Sequence, residues 1–303
     1  MPIQASRKIM MVRPKNFGFD YSTASSNSFQ VESGANAIDE IVQRAIQEFD
    51  GAVAALKKHG VSVTVIEDTE TPKKPNAVFP NNWVSFHDDK VMLYPMQAEN
   101  RRWERRTDIL EQLGAQGLNV SQVVDISHFE LENKFLESTG SMVLDYEHKV
   151  SYACLSTRTN QEVLDEFIKH TGFELVVFNA FDKGQVPVYH TNVLMCIGTT
   201  YAVICLEAIP SSERELVKQK LEVSNHEVIS LTMDQMYSFA GNMLEVVNDQ
   251  GERILVMSSS AFSCLSSSQK KKLSQHAKLL SVDIPTIEKY GGGSVRCMMC
   301  RLL

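Results

Sequence analysis

The chain has 303 residues, 43% of them apolar and 22% charged, the composition of a soluble globular protein long enough to bury a large core. Its formal net charge of −7 argues against nucleic acid as the main partner, since phosphate binding needs a basic stripe, and no run of roughly 18 apolar residues is present to span a membrane. The opening MPIQASRKIMMVRP lacks the apolar core of a signal peptide, and six cysteines dispersed in apolar runs read as reduced thiols; a cytoplasmic location is expected.

KIMMVRP reads as a strand. Apolar residues at 38, 41, 42, 45, 46, 49, 53 and 56 step by three or four, which makes one face of a helix stopped by Gly60. VSVTVIE is the next strand. NNWVSFHDDKVMLYPM then reads as a hairpin turning at His-Asp-Asp-Lys. A helix is expected over residues 100–113, and its Arg101-Arg102-Trp103-Glu104-Arg105-Arg106 cluster reads as a solvated helix face or a binding element. The same order recurs three times. After VVDI, a hairpin turns at Glu147-His148, with a helix over 160–170 and the strand ELVVF. A hairpin turning at Gly198-Thr199 follows, with a helix over 212–222 and the strand EVISL. A hairpin turning at Asp249-Gln250-Gly251 leads to a helix over 267–280 and to GGGSVRCMMCRLL.

Aligning the hairpins puts a small polar residue at each first-strand start: Asn82, Ser141, Asn192, Asn242 and Ser294, spaced 59, 51, 50 and 52 residues apart. A period near 50 indicates a repeat architecture. The fifth hairpin is only half present at the C-terminus, and KIMMVRP can complete it. The expected fold is therefore α/β, a five-bladed α/β propeller closed by pairing of the N- and C-terminal strands, as one catalytic domain over residues 1–303. An open mixed sheet with accidental spacing is the alternative. In such a ring the glycines before Cys297 let the backbone turn tightly into the last inner strand.

Residues near the five starts would then be neighbours. They include one carboxylate, Glu137, one imidazole, His190, and one thiol, Cys297. Those are the parts of nucleophilic catalysis: a thiolate attacks, an imidazole moves protons, and a carboxylate orients and charges it. Each also has a structural reading, as a turn residue, a core histidine and a small hydrophobe. Cys297 and Cys300 as a redox pair or half a zinc site would need partners, and no second Cys-x-x-Cys exists. In a strand, residues three apart would also face opposite ways.

Eight motifs, MVRPKNFGFD, VFPNNWVSFH, MQAENRRWERR, FLESTGSMVLD, LSTRTN, YHTNVLM, FAGNMLE and GGGSVRCM, run almost end to end and resemble the guanidino-group-modifying superfamily, the penteins. This superfamily includes arginine deiminases, dimethylarginine hydrolases and amidinotransferases. The chain looks most similar to its amidinotransferase-like citrulline-utilisation hydrolases. The resemblance implies the propeller fold, with Cys297 as nucleophile, His190 as general acid/base and Glu137 as the carboxylate beside substrate and histidine. It also implies that Arg158 and Arg101 hold the substrate carboxylate through paired hydrogen bonds. It implies no metal and no organic cofactor, and a small amino-acid substrate, with neither nucleic acid nor membrane as partner.

The sequence departs from the deiminase pattern at two positions. Where deiminases grip a guanidinium with aspartates, this chain has Asn82 and Asn192. Losing a carboxylate partner costs a buried guanidinium about 3–5 kcal/mol. An amide offers both a donor and an acceptor to a neutral ureido group. The expectation is hydrolysis of citrulline to ornithine, ammonia and carbon dioxide through a covalent Cys297 intermediate. His190 as a cation would lower the thiol pKa, and N–H groups of residues 291–294 would stabilise the oxyanion. The alternatives are an arginine or methylarginine hydrolase, an amidinotransferase, or a propeller that binds such a ligand without turnover; Asp20 is a further acid that could restore the missing charge.

Overall fold

The computed structural model describes residues 4–24, 26–32, 38–87 and 90–302; Asp88 and Asp89 of the first expected hairpin turn lie outside them. Among the described residues the strands form five three-stranded sheets. The N-terminal strand β1 (Lys8–Arg13) pairs in parallel with β2 (Ser62–Glu67). The second sheet holds β3 (Val84–His87), β4 (Lys90–Leu93) and β5 (Gln122–Asp125). The third holds β6 (Met142–Asp145), β7 (Val150–Cys154) and β8 (Glu174–Phe178). The fourth holds β9 (Met195–Ile197), β10 (Tyr201–Ile204) and β11 (Glu227–Ser230). The fifth holds β12 (Leu244–Val247), β13 (Arg253–Ser258) and β14 (Lys278–Val282). The last strand, β15 (Cys300–Leu302), returns to the first sheet and pairs antiparallel with β1, Met10 opposite Cys300 and Lys8 opposite Leu302.

Each sheet repeats one plan: an antiparallel pair, then a helix, then a third strand parallel to the second. The crossover helices are Ile38–Lys58, Thr107–Ala115, Gln161–Thr171, Ser211–Val223 and Ser267–His276. The first helix buries Ile41, Ala45, Phe49, Val53 and Leu56, the stripe its spacing predicts. The paired strands β3, β4, β6, β7, β9 and β10 are almost wholly buried, whereas the third strands β2, β5, β8, β11 and β14 are partly exposed. The third strand is thus the outer edge of each sheet, and the first strand is the inner one. Inner strands touch one another: β6 packs on β9, β9 on β12 and β15 on β3. Among the described residues no helix is long and apolar enough to cross a membrane.

The local expectations differ from the structure at four places. The helix expected over residues 100–113 is broken into a short turn of helix at Glu99–Arg102 and a helix at Thr107–Ala115. The helix expected over 267–280 stops at His276, because residues 278–282 pair with β13 as β14. Its start is firm: Ser266 and Gln269 form a reciprocal cap. A helix at Pro285–Gly291 follows, in a stretch to which the sequence reading assigned no element. The inner strands also begin later than expected in four sheets, since Pro80–Asn82, Ser138–Ser141, Thr191–Leu194 and Val295–Met298 are single helical turns. Cys297 therefore lies in a turn and not in a strand. It is still separate from Cys300, which packs in the cluster around Met10 and Trp83 while Cys297 packs with Phe17 and Phe79.

Truncation before Cys300 removes the β1–β15 ladder and two buried side chains, Cys300 and Leu302. Urea unfolding should show a loss of about 3 kcal/mol or more; unchanged stability would mean this pairing contributes nothing to the fold.

Candidate functional site

The turn that precedes each inner strand carries the polar residues of interest. Asn82 ends the turn Pro80–Asn82, Glu137 caps Ser138–Ser141, His190 caps Thr191–Leu194, Asn242 follows the tight Gly241 corner, and Cys297 sits in Val295–Met298. All five are buried. Asn82, Arg101, Arg158, His190 and Cys297 line one small cleft, with Tyr189 and Gly291–Gly293.

Glu137, fully buried, joins three of these residues. Its Oε2 accepts from His190 Nε2 at 2.8 Å and from Arg158 Nη1 at 3.4 Å, and Arg101 Nη1 lies 3.6 Å away. Its Oε1 accepts from the Gln97 N–H at 3.2 Å. Burial alone would raise the carboxyl pKa. Arg158, the His190 hydrogen bond and Arg101 outweigh it and hold the carboxyl well below its usual range. Burial pushes His190 down from 6.5 to about 4, against the pull of Glu137, and the two arginines add to the lowering. The imidazole is thus neutral at pH 7. The expectation of a resting imidazolium that activates the thiol is not met. With Nε2–H given to Glu137, Nδ1 is the nitrogen free to accept a proton.

Cys297 Sγ receives two amide donors, Asn192 Nδ2 at 3.4 Å and Asn242 Nδ2 at 3.3 Å. Asn242 is itself fixed, donating to the Asn192 carbonyl at 2.9 Å and accepting from the Arg296 N–H at 3.1 Å. Asn192 Oδ1 and Asn82 Nδ2 are buried without partners, one acceptor and one donor. Gly140 leaves them room: a Cβ there would sit 2.2 Å from Asn82 Nδ2 and 2.8 Å from His190 Nδ1. Gly292 adopts a left-handed conformation, φ 62°, at the end of the Pro285–Gly291 helix. This is the conformation the glycine run supplies, and the Gly292 carbonyl accepts from Tyr189 Oη at 2.5 Å. The Gly292 N–H donates to the Glu288 carbonyl, so it is not available to an oxyanion as expected.

The two arginines have different surroundings. Arg158 donates to Ser26 Oγ at 2.7 Å and the Thr23 carbonyl at 3.3 Å, and stacks 5.0 Å over the Tyr189 ring. These oxygen acceptors come from the N-terminal segment, whose Asn27 and Gln30 also line the cleft. Arg101 is engaged elsewhere. Two 2.8 Å bonds join it to Glu104, and a third at 3.1 Å goes to Asn82 Oδ1. Its guanidinium therefore sits at the Asn82–Glu137 end of the cleft. Burial pushes the Glu104 carboxyl up to about 7, against Arg101. Asp20, buried, accepts from Asn76 at 2.8 Å and Asn100 at 2.9 Å. The sequence reading missed Glu104 and Asn242 as site residues. Asn242 carried a signal, its place as the fourth repeat start; Glu104, inside a charged run, carried none.

The sequence model of the family described as N,N dimethylarginine dimethylhydrolase, eukaryotic, matches residues 13–303. The chain belongs to that family, and it is a C–N hydrolase of the amidinotransferase-like superfamily that the motifs resemble. No curated protein sequence matches. Among solved structures, the N-terminal domain of ArgZ covalently bound to a reaction intermediate is similar at 16% identity, covering 98% of this chain and 97% of that one, with a TM-score of 0.74. ArgZ is described as an arginine dihydrolase of cyanobacteria. Unliganded AgrE is similar at 18% identity over 98% of this chain and 39% of its own, TM-score 0.76. A dimethylarginine dimethylaminohydrolase adduct with S-methyl-L-thiocitrulline is similar at 18% identity over 98% of this chain and 100% of that one, TM-score 0.65. At these identities the structures bear on fold.

The depressed His190 pKa makes a stability prediction. Between 6.5 and about 4 the unfolded chain binds the proton that the folded chain refuses, so stability falls as pH falls through that window, by about 3 kcal/mol. Urea unfolding at pH 7 and pH 4.5 should show a steeper loss for the natural chain than for His190→Gln. Equal losses would mean that His190 does not titrate abnormally.

Proposed function

We propose that the chain is a cysteine-dependent hydrolase of a ureido amino acid, with citrulline as preferred substrate, and that residues 1–303 form one catalytic domain whose five sheets close into a five-bladed propeller. The contacts between inner strands and the β1–β15 pairing support the closed ring. So does Gln4, whose amide donates to the carbonyls of Leu144 and Ile197 in neighbouring sheets. Six free cysteines support a reducing, cytoplasmic compartment.

The observation that carries the substrate reading is the guanidinium of Arg101 held between Glu104, Asn82 and Glu137. A substrate guanidinium would bring a second cation against it. A neutral ureido group would not, and its oxygen would accept from Arg101. The unpartnered Asn82 donor and Asn192 acceptor suit a group that has both a carbonyl and N–H bonds. Arg158, whose contacts to Ser26 and Thr23 are replaceable oxygens, takes the substrate carboxylate. Arg101 then acts at the reacting end rather than beside Arg158.

Cys297 gives its proton to His190 Nδ1 as sulfur attacks the ureido carbon, and Asn192 and Asn242 stabilise the forming thiolate. Charge develops on the ureido oxygen and is met by Arg101. The imidazolium, steadied by Glu137, hands its proton to the departing amine. Ornithine leaves and a carbamoyl group remains on sulfur. His190 then takes a proton from water, which cleaves the carbon–sulfur bond. Carbamate is released, the thiol is restored, and carbamate decomposes to ammonia and carbon dioxide.

A second reading, hydrolysis of arginine or a methylarginine, is favoured by the family match and by Glu104 and Asp20, carboxyl groups that could receive a cation if Arg101 moved aside. Incubation with citrulline, arginine and dimethylarginine, followed for ornithine, citrulline and ammonia, separates the two. Loss of citrulline with gain of ornithine is expected; citrulline accumulating from arginine would overturn the ureido reading. Cys297→Ala should abolish turnover and Cys300→Ala should leave it. Arg101→Ala should lower citrulline turnover about 10²-fold, the usual loss for one oxyanion donor, and narrow discrimination against arginine. Equal loss on both substrates would sink the role given to Arg101.

A further inference from the structure

We propose that Asp145, His148 and His226 form a binding site for a divalent transition metal, zinc by donor type, which ties the third sheet to the fourth at the end away from Cys297.

The three residues come from two sheets. Asp145 ends β6, His148 lies in the turn between β6 and β7, and His226 immediately precedes β11. Glu137 lies before the start of β6, so at least ~10 Å of strand separates this cluster from the candidate catalytic residues. His148 Nδ1 is 2.9 Å from Asp145 Oδ2, and His226 Nε2 is 3.8 Å from the same oxygen. One donor atom from each of the three lies within 4.8 Å of the others. Zinc bonds of ~2.0–2.1 Å in tetrahedral geometry place donors about 3.3 Å apart. The two spacings to Asp145 Oδ2, 2.9 and 3.8 Å, bracket that value.

Asp145 is wholly buried and its Oδ1 accepts from the His148 N–H at 3.0 Å. That bond fixes the carboxylate plane and leaves Oδ2 for the ion, as outer hydrogen bonds do in metal sites. His226 is 4% exposed, and its Nε2 faces the Asp145 carboxylate from 3.8 Å, beyond hydrogen-bond distance, a separation that an ion would bridge. His148 is the exposed member, its side chain 37% accessible, so an ion has a route in and water can fill the fourth position. Two imidazoles and one carboxylate suit zinc and its neighbours and suit calcium or magnesium poorly. The hydrogen bond from His148 Nδ1 to Asp145 must give way on binding, and its proton moves to Nε2, leaving the imidazole neutral.

The full chain, stripped with a chelator, is titrated with Co²⁺ and with Zn²⁺. One equivalent of Co²⁺ should give visible bands of a low-coordinate site without thiolate charge transfer, and these should persist in Cys297→Ala. His148→Ala should weaken binding at least tenfold, and His148→Asp, which restores a ligand, should recover most of it. Zn²⁺ should raise the thermal midpoint of the natural chain and not of His148→Ala, with the metal-free midpoints alike. Unchanged affinity in His148→Ala, or binding lost in Cys297→Ala and kept in His148→Ala, would overturn the site. So would the absence of binding at micromolar metal.

Discussion

The Glu137 carboxylate has no access to water and gathers one imidazole nitrogen and two guanidinia around a single oxygen, with a backbone N–H on the other. An isolated buried carboxylate would be protonated. Here the surrounding positive charge keeps it ionised, and it in turn makes the burial of Arg101 and Arg158 tolerable. The three charges are mutually dependent: removal of Glu137 would leave two buried cations facing each other, a cost of several kcal/mol. The same carboxylate sets the His190 tautomer by taking its Nε2 proton, which presents Nδ1 as the base.

That arrangement depends on repetition. One step of the repeat, the turn before each inner strand, brings Asn82, Glu137, His190, Asn242 and Cys297 to one site from five separate stretches of chain. Helical turns at four of these points aim side chains inward from short segments already fixed by the strands that follow. Gly140 matters for the same reason: any side chain there would overlap Asn82 and His190. The family to which the chain belongs performs chemistry on C–N bonds, and this frame brings together a thiol, an imidazole and a carboxylate without any one sheet holding two of them.

What was legible in the sequence follows physical range. The spacing of five starts exposed the repeat, and strand-like runs at both ends suggested their pairing. The crossover helix Ile38–Lys58 was readable from its apolar stripe, and Gln161–Thr171 and Ser211–Val223 lie within a residue of expectation at each end. β14 was read as the tail of a helix, since Lys278–Val282 is short and forms only because β13 offers it a parallel ladder. The helix Pro285–Gly291 was hidden because its glycine end reads locally as a flexible run.

The linear sequence determined which residues could do chemistry and roughly how often they return. A thiol, an imidazole, a carboxylate and asparagines near the repeat starts are facts of composition and spacing. The tertiary structure alone decided their state. Burial made His190 a neutral base rather than a cation, because desolvation and two nearby guanidinia outweigh its carboxylate partner. Contacts also turned Arg101 toward Glu104 and Asn82, and brought Asn242 to the sulfur as a second donor. Charge state and side-chain direction are set by the neighbours in space, and those neighbours lie as many as 296 residues apart along the chain, as Ser6 and Leu302 show.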